Sequence, residues 1–232
     1  MTDKTILDVS NTLYIDFESN KAGELFLVGF DGGSGYTTWI LHEELRGWAE
    51  GKDFRFATLD DVLDLVSQYN TIVAYSTIEQ TVINRIASER GRVLPQGISY
   101  LNARKVAVTW ANKTRKTEFE NLPVLGMQVD RYVRPKKNAL VGLARLVDMH
   151  SSATHGYGVV TKRIGQVRKG LSAKSGQFEK LTRHQKVQAA KVITHNRFDV
   201  EAMKKIVTVA LNERPSLYKR HLKRLASVKP TA

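Results

Sequence analysis

Cysteine is absent from this chain of 232 residues, which excludes disulfide bonds and thiolate metal sites. The sequence also has no apolar run near the roughly 18 residues that are needed to cross a bilayer. The opening stretch MTDKTILDVS contains two acids and no apolar segment, which is not typical of a secretion signal. From these absences we expect a cytoplasmic protein with no membrane partner.

Positive charge is concentrated in the last third of the chain. Residues 151–232 hold 18 Lys and Arg against 4 Asp and Glu, whereas residues 1–150 hold 18 against 19. The net charge of +13 therefore arises entirely from the C-terminal part. A solvated basic surface that only maintains solubility is one explanation. The uneven distribution favours a polyanionic partner, and nucleic acid is the commonest of these.

The hydrophobic pattern predicts an α/β fold. TLYIDFES, ELFLVGFD and YTTWIL read as a three-stranded antiparallel meander, with the turn GGSG before the third strand. A helix, a short β-branched strand and a second helix are predicted to follow, so the mixed sheet should lie between flanking helices. We expect one domain over residues 1–213, with a basic, irregular insertion at 150–180 and a basic C-terminal tail at 214–232.

Two carboxylates stand at the end of the first predicted strand. Because side chains alternate along a strand, Asp16 and Glu18 share one face. Neighbouring carboxylates repel each other unless a cation lies between them, and hard divalent ions bind oxygen ligands of this kind. The pattern D-x-E is common by chance, however, and Glu18 could simply end the strand in solvent.

A second pair of polar residues occurs late in the chain, within ITHNRFDVEAM. His195 and Asp199 are four residues apart, which places them on the same face of a predicted helix. Such a pair is often an ordinary surface contact. An imidazole one turn from a carboxylate can also act as a base beside a metal ligand, so the order of the two pairs is informative.

These segments resemble the motifs of the DEDD superfamily of 3′–5′ exonucleases, which have a ribonuclease H-like fold. LYIDFES is similar to the first motif, TIVAYSTIEQTVINRI to the second and HNRFDVEAM to the third. The resemblance covers roughly residues 12–212. The chain differs from the family pattern in having Glu79 where the family has aspartate. It also has His195 at the spacing that the family uses for tyrosine.

The resemblance implies two-metal hydrolysis of phosphodiester bonds, with Mg²⁺ or Mn²⁺ ions about 3.5–4 Å apart. It implies that Asp16 bridges the ions, that the remaining acids complete the ligand set, and that His195 takes a proton from the attacking water. The implied metal ligands are Asp16, Glu18, Glu79 and Asp199.

The basic segment that leads into the last motif is predicted to hold the substrate backbone, through Lys162, Arg163, Arg168, Lys169, Lys174, Arg183 and Lys186. The expected partner is the 3′ end of DNA or RNA, within a larger replication, repair or RNA-processing complex. Two alternatives remain open from the sequence. One is a degenerate module on the same fold that binds nucleic acid without cutting it, and the other is a structure-specific endonuclease.

Overall fold

A computed structural model of the chain describes residues 11–20, 22–122, 126–129, 132–135, 139–151 and 159–224. Within these residues a seven-stranded mixed sheet forms the centre of the fold. Its strands, in chain order, are β1 (Thr12–Ser19), β2 (Leu25–Asp31), β3 (Tyr36–Ile40), β4 (Arg55–Phe56), β5 (Thr71–Ala74), β6 (Ser99–Asn102) and β9 (Leu222–Arg224). A separate hairpin consists of β7 (Gly126–Val129) and β8 (Tyr132–Pro135).

The sheet order is β4-β3-β2-β1-β5-β6-β9. Strand β1 is antiparallel to β2, and β2 is antiparallel to β3, whereas β1 pairs with β5 and β5 with β6 in parallel. The predicted antiparallel meander within a mixed sheet is thus confirmed. It places β1 in the middle of the sheet.

Helices flank this sheet, and most of them are short. They are α1 (Arg46–Glu50), α2 (Leu59–Ser67), α3 (Ile78–Glu89), α4 (Ala103–Thr114), α5 (Lys116–Glu120), α6 (Leu140–Ala144), α7 (Val159–Ser172), α8 (Arg183–Glu213) and α9 (Ser216–His221). The longest, α8, has 31 residues, which corresponds to about 46 Å at the usual rise per residue.

The alternation of side chains along β1 decides which helices its residues meet. Leu13 and Ile15 pack in one cluster with residues of α2 and α3, whereas Tyr14 packs on the opposite face with residues of α4 and α8. Asp16 and Glu18 have the same parity as Tyr14 and therefore point to the face that α8 covers.

The prediction that residues 150–180 are irregular is wrong for residues 159–172, which form α7. The glycines and basic residues suggested a loop, but Val160, Ile164, Val167 and Leu171 recur at helical spacing and are buried. Residues 152–158 lie outside the described part of the chain.

The predicted basic tail is also partly folded. Leu217 in α9 is buried, and β9 pairs antiparallel with β6 at one edge of the sheet. Proline ends the long helix as expected, but the chain then returns to the sheet because α9 has an apolar residue to bury. Residues 225–232 lie outside the described part of the chain.

Candidate metal centre

Strand β1 delivers the first two carboxylates to the helix-covered face. Asp16 lies opposite Gly29 of β2, and the pairing register shifts directly after Glu18. Both acids are only partly exposed. The strand thus ends with two carboxylates directed under α8 rather than into open solvent.

Helix α8 delivers the other two groups. It begins with a capping box, in which Thr182 and Gln185 exchange hydrogen bonds between side chain and backbone. Val192, Val200 and Met203 are buried and hold the helix against the sheet. One turn separates His195 from Asp199, so both side chains meet the end of β1.

Three of these side chains converge closely. Ligand atoms of Glu18, His195 and Asp199 all lie within 4.8 Å of one another, the one such group found among the described residues. The Nε2 atom of His195 is 3.3 Å from Oδ2 of Asp199, and the two side chains are 15% and 20% exposed. Glu18 is thus in one cluster with two residues that lie more than 170 positions later in the sequence.

Asp16 and Glu79 lie beside this group but outside it. The charges of Glu18, Asp199 and Glu79 all raise the pKa of Asp16, which places the four carboxylates within electrostatic reach of one another. Glu79 is buried at the start of α3, where Oε2 accepts hydrogen bonds from the hydroxyl and the backbone N–H of Ser76, at 2.9 and 3.2 Å. Glu79 thus also has a role in starting the helix.

Burial makes the carboxylates hard to ionise. Desolvation is the main cause that raises the pKa of Asp16 and of Glu79, and the charges of the other acids add to it. For Glu18, desolvation and the charges of Asp199 and Glu79 raise the pKa to about 8, against the lowering effects of His195 and Asn196. The cluster therefore stores charge repulsion that a bound cation would relieve.

The pKa of the His195 imidazole is raised, although burial alone would lower it. Desolvation lowers the pKa of His195, but the hydrogen bond with Asp199 and the charges of Asp199 and Glu18 outweigh it, so the net shift is upward. Nε2 faces the carboxylates, so proton uptake at this nitrogen is favoured by the same groups that form the cluster.

An asparagine that the sequence interpretation did not single out lies at the centre of this arrangement. Asn196 has no exposed surface, and its Nδ2 donates a 2.7 Å hydrogen bond to Oδ2 of Asp16. Its Oδ1 accepts a 2.9 Å hydrogen bond from the hydroxyl of Tyr36. The signal in the sequence was present: Asn196 interrupts the buried stripe of Val192 and Val200, where an apolar residue is expected.

The predicted nucleic-acid-binding residues lie in several different environments. The start of α7 lies near the cluster, because Oγ1 of Thr161 donates a 3.3 Å hydrogen bond to the carbonyl of Ser19 at the end of β1. Arg163 is buried there, and its charge acts on His195. Lys162, which directly precedes Arg163 in the same helix, is exposed.

Arg168 has a different environment from that predicted. It forms ion pairs with Glu24 and Glu44, at 3.1 and 2.5 Å, and its guanidinium lies 5.2 Å from the ring centroid of Phe26. These contacts fasten α7 to the body of the fold. Together with Lys169, Arg168 also lines a groove of about 750 Å³ beside α1, and none of the four carboxylates of the candidate metal centre lines this groove.

The remaining basic residues lie further along the chain. Lys174 is exposed in the turn after α7, Arg183 begins α8, and Nζ of Lys186 donates a 2.6 Å hydrogen bond to the carbonyl of Glu179. At the usual helical rise, Arg183 lies about 18 Å along the axis from His195. These groups can contact a long substrate but not its reacting end.

The donor set fits a divalent cation. Around an octahedral ion with ligand distances of about 2.1 Å, adjacent ligands are about 3.0 Å apart and opposite ligands about 4.2 Å apart. The 3.3 Å separation between Nε2 of His195 and Oδ2 of Asp199 is close to the spacing of adjacent ligands, and a ligand atom of Glu18 lies within 4.8 Å of both. Glu18, His195 and Asp199 can therefore hold one ion, with the oxygens of Asp16 nearby.

Comparison with known protein families finds none that matches this chain, and a search of curated proteins finds no similar sequence. The described helices contain none that is long and apolar enough to cross a membrane.

Proposed function

We propose that the protein is a metal-dependent 3′–5′ exonuclease with a ribonuclease H-like fold, which hydrolyses phosphodiester bonds of DNA or RNA. The observation that carries the proposal is the convergence of Asp16 and Glu18 from β1 with His195 and Asp199 from α8. Buried acids that repel one another are costly to a fold unless they serve a cation. The chain order also supports the proposal. The acids of β1 lie in an antiparallel meander, and His195 and Asp199 lie in a late helix, as in the family that the sequence resembles.

When bound, two Mg²⁺ or Mn²⁺ ions would supply charge stabilisation to the phosphodiester and a nucleophile at neutral pH. The residues that would hold them are Asp16, Glu18, Glu79 and Asp199. His195 takes the proton of the attacking water at Nε2, the nitrogen that faces the cluster. Asp199 orients the imidazole and favours its protonated form.

The basic residues at the start of α7 bind the substrate next to the reacting group. Arg163 is buried within range of His195 and is suited to neutralise a phosphate there. Lys162, which is exposed, continues the contact with the backbone. Arg168 is better placed to stabilise the fold, because it already pairs with two carboxylates.

The experiment is an exonuclease assay with 5′-labelled single- and double-stranded DNA and RNA, in Mg²⁺, Mn²⁺ or a chelator. We expect a ladder that shortens from the 3′ end and disappears in chelator. Asp199→Asn should abolish the ladder, whereas Asp64→Asn should not, because Asp64 is an exposed acid of α2 that pairs with Arg92. Internal cuts would indicate an endonuclease, and an Asp199→Asn variant with the wild-type rate would refute the assignment.

A second candidate is a module that binds nucleic acid without cutting it. The observation in its favour is that both hydrogen bonds of Glu79 to Ser76 serve the start of α3, a role that needs no metal. In the same assay this candidate predicts retention of labelled strands on the protein with no shortening in either metal.

A further inference from the structure

Asn196 is buried between the carboxylate cluster and the sheet. Its side-chain amide donates to Asp16 twice, at 2.7 Å to Oδ2 and at 3.3 Å to the backbone carbonyl. The same group also favours the ionised form of Glu18. One amide thus contacts or influences both acids of β1, although Asn196 belongs to α8.

The amide itself is held in one orientation. The hydroxyl of Tyr36 on β3 donates to Oδ1 of Asn196, so the nitrogen end of the amide is directed to Asp16. The neighbouring strand leaves room for this contact because residue 29 is glycine. A Cβ atom at Gly29 would lie 1.6 Å from Oδ1 of Asn196 and 2.8 Å from the ring of Tyr36.

These contacts form a chain from Tyr36 through Asn196 to Asp16, crossing three elements of secondary structure. A carboxylate with one oxygen fixed by a donor presents its other oxygen in a defined direction. Hydrogen-bonding partners of this kind orient metal ligands and affect metal affinity without touching the metal.

We propose that Asn196 is a positioning residue, which acts through Asp16 to orient this carboxylate toward the cation, and that Tyr36 sets the orientation of the Asn196 amide. The inference rests on the metal centre of the proposed nuclease but not on the reaction that the centre catalyses. It can therefore be tested without nucleic acid.

The experiment measures Mn²⁺ binding to the purified protein, by the loss of the free-ion electron paramagnetic resonance signal, together with thermal unfolding. Asn196→Ala removes the donor, and the expected result is a 10- to 100-fold weaker affinity for Mn²⁺, about the effect usual for such partners. Tyr36→Phe removes only the group that orients the amide, and a smaller loss of about two- to tenfold is expected, as for one neutral hydrogen bond.

The matched control is Asn102→Ala. Asn102 is also a buried asparagine, and its Oδ1 accepts a 2.9 Å hydrogen bond from the backbone N–H of Lys105 at the start of α4. Its replacement should lower the unfolding temperature but leave Mn²⁺ affinity within twofold of wild type. Binding is measured at a temperature where every variant is folded, so that a loss of stability is not read as a loss of metal.

The outcomes separate this inference from the proposed function. If wild type binds Mn²⁺ and the Asn196→Ala and Tyr36→Phe variants bind it equally well, Asn196 is only structural and the inference is overturned. If wild type binds no Mn²⁺ at millimolar concentration, the metal centre and the inference both fail. If the affinities follow the expected order but the wild-type protein does not cut nucleic acid, the inference stands and the nuclease assignment fails.

Discussion

Replacement of Glu18 by glutamine tests whether the cluster of acids is destabilising in the absence of a cation. Burial, and then the charges of Asp199 and Glu79, raise the pKa of Glu18 to about 8 in the folded chain, although His195 and Asn196 oppose them. In the unfolded chain the same carboxyl has an ordinary value near 4.5. The folded protein therefore binds this proton more tightly than the unfolded protein does.

The sign of the effect on stability follows from linkage. A carboxyl whose pKa is raised by folding contributes fully to stability below the unfolded value, and the contribution is lost as pH rises through the folded value. For Glu18 the loss extends from about pH 4.5 to pH 8. At 1.36 kcal/mol for each unit of pKa, it amounts to about 5 kcal/mol in the metal-free protein. The raised pKa values of Asp16, Glu79 and His195 act in the same direction.

The assay is denaturant unfolding at pH 5, 7 and 9 in the presence of a chelator. We expect the free energy of unfolding of wild type to fall by several kcal/mol across this range, on the order of the value above. Glu18→Gln should remove the share of the slope that Glu18 contributes, because glutamine cannot ionise, and should leave the shares of Asp16, Glu79 and His195 in place. At pH 9 the metal-free variant should therefore be more stable than wild type.

A matched control and a metal titration complete the test. Glu89→Gln removes an exposed acid at the end of α3, which lies 3.8 Å from Arg85, and should leave the pH slope unchanged. Saturating Mn²⁺ should stabilise wild type by about 2.7 kcal/mol at a hundred times its dissociation constant, and should stabilise the glutamine variant less. Equal slopes for wild type and Glu18→Gln in chelator would refute the reasoning.

The remaining predictions concern His195 as the general base and the basic residues of α7 that bind the substrate. His195→Ala should slow hydrolysis by about 10²- to 10⁴-fold at saturating substrate, the usual range for a lost general base, and a normal rate would show that another group accepts the proton. Mn²⁺ affinity should change little, because the proposed ligands are carboxylates. A large loss of affinity would show that His195 is itself a ligand, which its position in the group with Glu18 and Asp199 allows. Lys162 and Lys169 lie seven residues apart on α7 and are both exposed. Their joint replacement by alanine should weaken binding to a single strand. The slope of log affinity against log salt should become less steep by about 0.7 for each lost phosphate contact. Arg168→Ala is the comparison: because Arg168 forms ion pairs within the fold, we expect this variant to lose stability and to keep the salt dependence of wild type. A less steep salt dependence without a loss of stability would show that Arg168 binds the substrate.

Much of the fold is encoded by local patterns. Runs of apolar, β-branched and aromatic residues define β1 to β3, and the Thr58 capping box with Asp61 starts α2 as its sequence predicts. The same local rules place Asp16 with Glu18 on one strand face, and His195 with Asp199 on one helix face. Each pair is therefore recognisable from the sequence alone.

Local rules failed where glycine and charge obscured an apolar stripe. In α7, Gly165 lies where a Cβ would meet nothing within 4 Å, and Gly170 lies against Gln185 and Leu181. Neither glycine breaks the helix, because burial of its apolar face outweighs their weak helix propensity. The basic composition of the segment therefore did not indicate its conformation.

The tertiary structure alone decides which partners the charged and polar residues acquire. Arg168 and Lys169 are adjacent in sequence, yet Arg168 pairs with Glu24 and Glu44 while Lys169 is exposed. Glu79 likewise accepts a hydrogen bond from Ser76 at the start of α3 and is also close enough to Asp16 for its charge to raise the pKa of that carboxyl. Such assignments depend on long-range packing, which composition and spacing do not contain.

The sequence by itself determined two short units, each rigid because of its own backbone hydrogen bonds: a strand with two acids and a helix with a histidine and an aspartate. Only the tertiary structure brought residues 16 and 18 to residues 195 and 199, through the burial of α8 across β1. Only it placed Asn196 against Asp16 and Tyr36, at a position that glycine 29 leaves open. The physical reason is that periodicity specifies which face a side chain occupies, whereas the groups that this face meets are chosen by the packing of distant segments.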